Sequence, residues 1–448
     1  MGALEVSSLL WPEHKERHIA RITVSGFKSI ASEQSIDIRP LTILAGANSS
    51  GKSSIMQPLL LLKQTLESGY DPGPLLLGGD NIKFTSVDQF LSKGVRGSGF
   101  SVGIHLASEQ ALSLEFADGD GKGLRVRKML YSGEGLDLEL SDKMSHSQLV
   151  SLLPDRVVDF VGNFFLPGKA KPQFQVTRDR CFLNVAVNQE GKEPISPMLI
   201  SLLPTSQFAI EIGRIVHLPG LRGNPRRAYP KTAVGATFSG VFQDYGASII
   251  AQWHEKGQAK LRKLGENLAR LGLTWKVIAR PIDQTQVQLL VGRLTRATQG
   301  GAWDLVDIAD VGFGVSQVLP VLVALLTAKP GQLVYLEQPE IHLHPRAQVI
   351  MAQLLIDAAN RGVRVVAETH SQLLLLGVQT AVARGDIRPE KVKLNWFERD
   401  ADGLTKISSA DLDESGAFGE EWPEDFAETE LKAQDSYLDA AEAKHQKG

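Results

Sequence analysis

The chain has 448 residues, of which 43% are hydrophobic and 22% charged, and its formal net charge is −3. That length allows two or three domain-sized units, and the composition is that of an ordinary soluble globular chain. The single cysteine, Cys181, excludes an internal disulfide, no run approaches the ~18 apolar residues of a membrane span, and the mild acidity confines any nucleic-acid surface to a local patch. Glu5, Glu13 and Glu16 make residues 1–18 unlike a secretion signal, so a cytoplasmic protein without a membrane partner is expected.

Residues 19–45 read as short strands. Ala20-Arg21-Ile22-Thr23-Val24 comes first, then a turn at Gly26-Phe27-Lys28-Ser29, then Ser35-Ile36-Asp37-Ile38. Arg39-Pro40 interrupts the run before the apolar strand Leu41-Thr42-Ile43-Leu44-Ala45. That strand feeds Gly46-Ala47-Asn48-Ser49-Ser50-Gly51-Lys52-Ser53, which fits G-x-x-x-x-G-K-[ST] at every fixed position, and a helix-forming stretch over 54–66 runs out. Glycines let backbone N–H groups curl around a phosphate, and the helix start adds partial positive charge. Lys52 is expected to reach the β/γ oxygens and the Ser53 hydroxyl to ligate Mg²⁺. Gly46, Asn48, Ser49, Ser50, Gly51 and Ser54 would line the phosphates. The chain is expected to bind ATP or GTP.

Further strands are expected over 70–121, for example Phe100-Ser101-Val102-Gly103-Ile104-His105-Leu106. Residues 145–273 read as mostly helical, interrupted by the strand-like Cys181-Phe182-Leu183-Asn184-Val185. Gln286-Val287-Gln288-Leu289-Leu290-Val291 returns to sheet. From Val311 the chain alternates: an apolar helix over 315–326 kinked at Pro320, a buried strand over 332–337, a helix over 346–360 and a buried strand over 363–367. That alternation predicts parallel α/β architecture. No sustained heptads point to a coiled-coil arm.

A nucleotide-hydrolysing fold needs a second strand ending in acid to hold Mg²⁺ and position water. Leu333-Val334-Tyr335-Leu336-Glu337-Gln338-Pro339-Glu340 supplies four apolar residues and then a carboxylate. The next strand ends at Glu368-Thr369-His370-Ser371, where His370 is placed to sense the γ-phosphate. Gly312-Phe313-Gly314-Val315-Ser316-Gln317 is a glycine-serine turn opening a helix, an anion site able to meet a nucleotide held by another subunit.

Phe27-Lys28-Ser29, the phosphate loop, the glycine-serine turn, Glu337-Gln338-Pro339-Glu340-Ile341-His342-Leu343-His344-Pro345 and Glu368-Thr369-His370-Ser371 together resemble the ABC-type ATPase heads of the RecF, SMC and OLD group. The resemblance spans residues 19–66 and 304–398. It is nearest to the compact prokaryotic AAA family ATPases that serve in anti-phage systems such as Septu and PARIS. The stretch 400–426, with Trp422-Pro423-Glu424-Asp425-Phe426, resembles a small C-terminal extension of one branch. By this resemblance Glu337 is the Walker B acid, Ser316 the signature serine, His370 the switch histidine, and Gln89 a Q-loop glutamine at the metal. Ordinary members read Asp-Glu where this chain reads Glu337-Gln338. The usual catalytic glutamate is therefore an amide, unable to take a proton from water. Either Glu340 takes over, with slow hydrolysis, or nucleotide binding itself is the signal.

Other positions are weighed against plainer roles. His342 and His344 lack a third ligand, which argues against metal binding; the resemblance implies that they position the loop across a dimer interface. Arg222, Arg226 and Arg227 lie in a proline-glycine loop, either gripping phosphate or paired with acids. Lys256, Lys260, Arg262, Lys263 and Arg270 give a basic helix face that either follows DNA or is merely solvated. Cys181 is expected in the core. Asp400, Asp402, Asp411 and Asp413 lack the strand-borne spacing of a two-metal nuclease, so no nuclease is expected in the chain itself.

These readings define an α/β ABC-type P-loop ATPase head, a mixed sheet flanked by helices, with an inserted mostly helical lid. The expected units are 1–145 (first half of the head), 146–273 (lid), 274–398 (second half) and 399–448 (extension and tail). The expected activity is hydrolysis of ATP with Mg²⁺ by a homodimer or higher oligomer. Two heads are expected to sandwich two nucleotides and act as sensor or scaffold for a separate effector, such as a nuclease, in anti-phage defence. The alternatives are a DNA-clamping repair or segregation factor and a transport ATPase.

Overall fold

The structure, a computed structural model, describes residues 17–93, 99–119, 123–133, 135–153, 172–189, 199–200, 205–235, 237–296 and 303–419. In chain order, β1 (Ile19–Ser25), β2 (Gln34–Asp37) and β3 (Leu41–Gly46) lead into helix α1 (Lys52–Glu67). Then come β4 (Gly99–Leu106), β5 (Ala111–Asp118), β6 (Leu124–Gly133), β7 (Leu136–Ser141) and α2 (His146–Leu152). The middle of the chain gives β8 (Pro172–Asp179), β9 (Phe182–Gln189), β10 (Leu199–Ile200), α3 (Thr205–Gly213), β11 (Val216–Leu218) and β12 (Tyr229–Pro230). There follow α4 (Gly246–Lys256), α5 (Gln258–Arg270), β13 (Val277–Pro281), β14 (Gln286–Gly292) and β15 (Leu305–Asp307). The last part holds α6 (Phe313–Thr327), β16 (Leu333–Glu337), α7 (Pro345–Asn360), β17 (Arg364–Thr369), α8 (Gln372–Ala383), β18 (Val392–Arg399) and β19 (Thr405–Ala410).

Among the described residues the central sheet runs β11-β16-β17-β3-β18-β19. All its neighbours are parallel except β18 and β19. A second sheet, antiparallel, runs β2-β1-β4-β5-β6-β7. The central strands read as continuous apolar runs because both faces are covered. Val334, Leu336, Val365 and Ala367 face one core with α4 to α8. Leu333, Tyr335, Val366 and Leu44 face the other core with α1 and the antiparallel sheet. Since the parallel strands share a direction, their C-terminal ends meet at one edge, where an open α/β sheet places its ligand.

The stretch expected as a mostly helical lid carries more sheet than its sequence signalled. β8, β9 and β10 form a three-stranded antiparallel sheet, and β11 joins the central sheet beside β16. The β8–β9 turn at Arg180-Cys181 lacks the usual Asn-Gly signal, with Arg180 itself at φ 52°. A strand as short as β11 shows no periodicity to read. At the other end, β19 closes the central sheet, so the expected extension is partly head. Residues 422–426 and the tail over 424–447 lie outside the described residues. Pro320 sits inside α6, which runs on to Thr327. Among the described residues, no helix is long and apolar enough to cross a membrane.

Candidate functional site

The phosphate loop joins β3 to α1 at the ligand-binding edge. Gly51, the α1 N-cap, has φ 101° and offers no capping side chain, and the first turn carries no acid. The opening N–H groups are thus left to an anion. Two glycines are demanded by close approach. A Cβ on Gly46 would lie 2.2 Å from the Phe397 carbonyl oxygen, and one on Gly51 would lie 2.2 Å from Thr405 Oγ1. Behind the loop, Arg399 Nε donates to the Ser49 carbonyl at 2.8 Å, and the Thr405 hydroxyl donates to the Ser50 carbonyl at 2.8 Å. Thr405 also meets Ser29 of the Phe27-Lys28-Ser29 turn, hydroxyl to hydroxyl, at 2.7 Å. The β18–β19 hairpin therefore holds two loop carbonyls from outside. A lone threonine gave no sequence signal for this.

Lys52 Nζ donates to Gly46 O at 3.0 Å and Ala47 O at 2.6 Å. Burial lowers its pKa, opposed by the charge of Glu368. The Ser53 hydroxyl donates to Glu368 at 2.8 Å, and Tyr335, fully buried beneath, donates to the same carboxylate at 2.9 Å. Burial and the nearby charge of Glu337 push the Glu368 pKa up, with the two hydroxyls and Lys52 pulling the other way. Glu337 and Glu368 are register partners on neighbouring parallel strands. Glu337 accepts from His217 Nε2 at 3.2 Å and from the Gly220 N–H at 3.0 Å. Burial raises its pKa, but His217, the Gly220 N–H and Arg222 together outweigh burial, so its carboxyl lies below the ordinary range. His217 is 1% exposed and stacks on Tyr335, with ring centroids 5.3 Å apart.

Beyond Glu337 the chain turns sharply. Gln338 has φ 45°, a left-handed conformation uncommon for a residue with a side chain, and its N–H donates to the Glu368 carbonyl at 2.8 Å. Glu340 is 6% exposed and accepts from the Thr369 hydroxyl, while its other oxygen finds no partner among the described residues. Burial raises its pKa, with the Thr369 bond opposing. His370 Nδ1 lies 2.8 Å from the Gly46 carbonyl, which can only accept, so Nδ1 carries the proton. Burial and then the Lys52 charge lower the His370 pKa, favouring the neutral ring.

Other expected residues fall as follows. Ser316 lies in the first turn of α6, half-buried, its hydroxyl on the Phe313 carbonyl at 3.1 Å. The Gln89 amide is taken up by Thr85, accepting at 2.9 Å and donating at 2.8 Å. Ser53 meets Glu368, to which the sequence assigned no role. His344 caps α7 through Nδ1, and His342 lies beside Phe313 with centroids 6.1 Å apart. Arg227 pairs with Asp310, as the paired reading of the arginine loop has it, whereas Arg222 is turned inside the protein onto backbone carbonyls, which neither reading foresaw. Cys181 is buried in the core, as expected.

The donor set fits a hard divalent cation: a serine hydroxyl and two adjoining carboxylates, all oxygen, beside a loop built for phosphate. Ser53, Glu368 and Glu337 are the residues that would hold Mg²⁺.

Solved structures similar to this chain include SMC heads. The SMC head bound to the C-terminal winged-helix domain of ScpA shares 13% identity, covering 89% of this chain and 99% of its own at a TM-score of 0.46. The Thermotoga maritima SMC head domain shares 11%, covering 87% and 98% at 0.39. The SMC head with extended coiled coil bound to the C-terminal domain of ScpA, derived from Pyrococcus furiosus, shares 12%, covering 88% and 96% at 0.43. No curated protein matches the chain. The family model described as "AAA domain, putative AbiEii toxin, Type IV TA system" matches residues 41–376, from the strand before the phosphate loop to the helix after His370. The chain belongs to this AAA domain family.

Proposed function

We propose that the protein binds ATP at the Gly46–Ser53 loop and hydrolyses it slowly, with two copies sandwiching two nucleotides. The observation that carries this is the convergence of Lys52, Ser53, Glu368 and Glu337 at the strand ends around an uncapped helix start. Lys52 would leave its loop carbonyls for the β/γ oxygens, and Ser53 would leave Glu368. Mg²⁺, held by Ser53, Glu368 and Glu337, would neutralise phosphate charge. The neutral His370 ring keeps Nδ1–H on Gly46 and leaves Nε2 as an acceptor beside the loop. Gln338 orients water without accepting its proton, and Glu340, whose raised pKa suits a base, is the group that would take it. Because Glu340 is buried, turnover is slow.

A second copy would complete each site with its α6 start. Leu221 and Phe313, 84% and 54% exposed, are apolar groups that fit burial against another copy. We infer that the assembly is a sensor or scaffold for a separate effector, such as a nuclease, in anti-phage defence. The family's description as a Type IV TA system supports a two-component arrangement. A second reading, DNA clamping, draws on the exposed cations of α5, where Lys260 lies within the field of Arg361 and Lys329. It requires DNA affinity that depends on ATP and falls steeply with salt.

The test is nucleotide binding with phosphate release for wild type, Lys52→Ala and Glu340→Gln. Wild type should bind ATP and release phosphate slowly, while Lys52→Ala should lose at least about 100-fold in affinity, on the order of 3 kcal/mol for a charge-assisted contact. Glu340→Gln should bind and not turn over. A wild type that ignores ATP would sink the proposal. One that binds without releasing phosphate would make Gln338 the mark of a binding switch.

A further inference from the structure

We infer that the segment from His217 in β11 through the loop to Arg227 is a mechanical joint between a copy's own nucleotide site and the helix start it offers to its partner, with Arg222 the positioning residue at its centre. This rests on the sandwich reading above. Four groups of hydrogen bonds define the joint. At the loop's start, His217 and the Gly220 N–H hold the Glu337 carboxylate at 3.2 and 3.0 Å. At its centre Arg222, only 7% exposed, donates to the carbonyls of Glu337 at 2.6 Å, Gln338 at 3.3 Å and Gln317 at 3.3 Å. The first two carbonyls belong to the Walker B turn and the third to α6, one residue past Ser316. The Gln317 side chain returns a bond to the Gly223 carbonyl at 2.8 Å. At the loop's end, Arg227 forks onto Asp310 at 2.6 and 3.1 Å, two residues before Gly312.

The chemistry of Arg222 makes the joint stiff. A guanidinium is a planar fork whose donors reach several carbonyls at fixed angles, which an ammonium on a flexible stem does not reproduce. A buried cation is costly to leave unpaired, so the fork does not let go of one turn without the other. Because Gly220 and His217 hold the same carboxylate that would face Mg²⁺, movement of Glu337 on nucleotide arrival is passed through Arg222 to the Ser316 turn. One nucleotide site is thereby coupled to the completion of the other.

The Arg227–Asp310 pair gives a test that folding does not confound. Its side chains are 69% and 47% exposed, and exposed pairs add little to stability. The full chain would be studied as wild type, Arg227→Asp, the swapped Arg227→Asp/Asp310→Arg, and Arg222→Lys. A fluorescent ATP analogue with Mg²⁺ reads binding in dilute protein, mass photometry reads ATP-driven assembly, and Tm controls for folding. Arg227→Asp should bind the analogue as wild type does yet need at least about fivefold more protein to assemble, and the swap should restore assembly. Arg222→Lys should raise the assembly concentration further, by tenfold or more, with turnover falling in step. If Arg227→Asp assembles as wild type does, or the swap fails to restore it, the joint is overturned while the proposed function stands. Should Arg222→Lys prove unstable, the charge swap still decides. Wild type that binds the analogue but never assembles would overturn the sandwich reading and the joint together.

Discussion

Residue by residue, the nucleotide site is a set of groups whose charge states are set by burial. Glu340 shows this best: burial raises its carboxyl pKa, so ionising it costs more in the folded protein than in the unfolded chain. For an acid so shifted, stability is fully present below the unfolded value of about 4.3 and declines as pH rises toward the folded value. Glu340→Gln mimics the neutral form. It should match wild type in Tm near pH 4 and exceed it by a few degrees at pH 7, as thermal melts across that range would show. A variant less stable than wild type at pH 7 would mean the ionised carboxylate is what the fold holds. Legibility at this scale followed spacing. Lys52, Ser53, Glu337 and His370 stand in short motifs, and the structure sets them at one edge. Glu368 stood in the Glu368-Thr369-His370-Ser371 motif without an assigned role, although a carboxylate ending a buried strand was a usable signal. His217, and the carbonyl partners of the already noted Arg222, were hidden because Glu337 and Gln338 lie 120 and 116 residues away.

Among elements, the unexpected contributor is the β18–β19 hairpin, which follows the stretch matched by the family. It supplies Arg399 and Thr405 to the carbonyls of Ser49 and Ser50, and its Phe397 carbonyl forces glycine at position 46. The phosphate loop is thus shaped from both sides: by its own glycines and by an antiparallel hairpin pressed against it. Thr405→Val keeps the side-chain shape and deletes the hydroxyl, a loss of about 1–2 kcal/mol for a buried bond. ATP affinity should fall several-fold, by calorimetry, with a smaller change in Tm. Unchanged affinity would show that the loop holds its shape without the hairpin. The strands that define the parallel sheet were legible because both their faces are buried, which leaves unbroken apolar runs in β16 and β17. β9 was legible as the strand-like stretch over 181–185, whereas β11 was too short to read and β8 was hidden by a turn without a glycine or asparagine.

As a whole molecule, the chain presents an uncapped α6 start, exposed Phe313 and Leu221, and a phosphate loop whose own helix start has no side-chain cap. Completion by a second copy is the simplest use of all three. The lone Cys181 is buried, with its thiol pushed far up by burial, so it does not compete in thiol chemistry. That makes one measurement especially direct. Chains carrying Ser49→Cys and chains carrying Ser316→Cys would be mixed and treated with a short bifunctional thiol reagent, with and without ATP and Mg²⁺. The account predicts a cross-linked pair joining one variant to the other only when ATP is present, and none when Lys52→Ala is added to both. Cross-linking that is absent with ATP, or equal without it, would contradict the nucleotide sandwich.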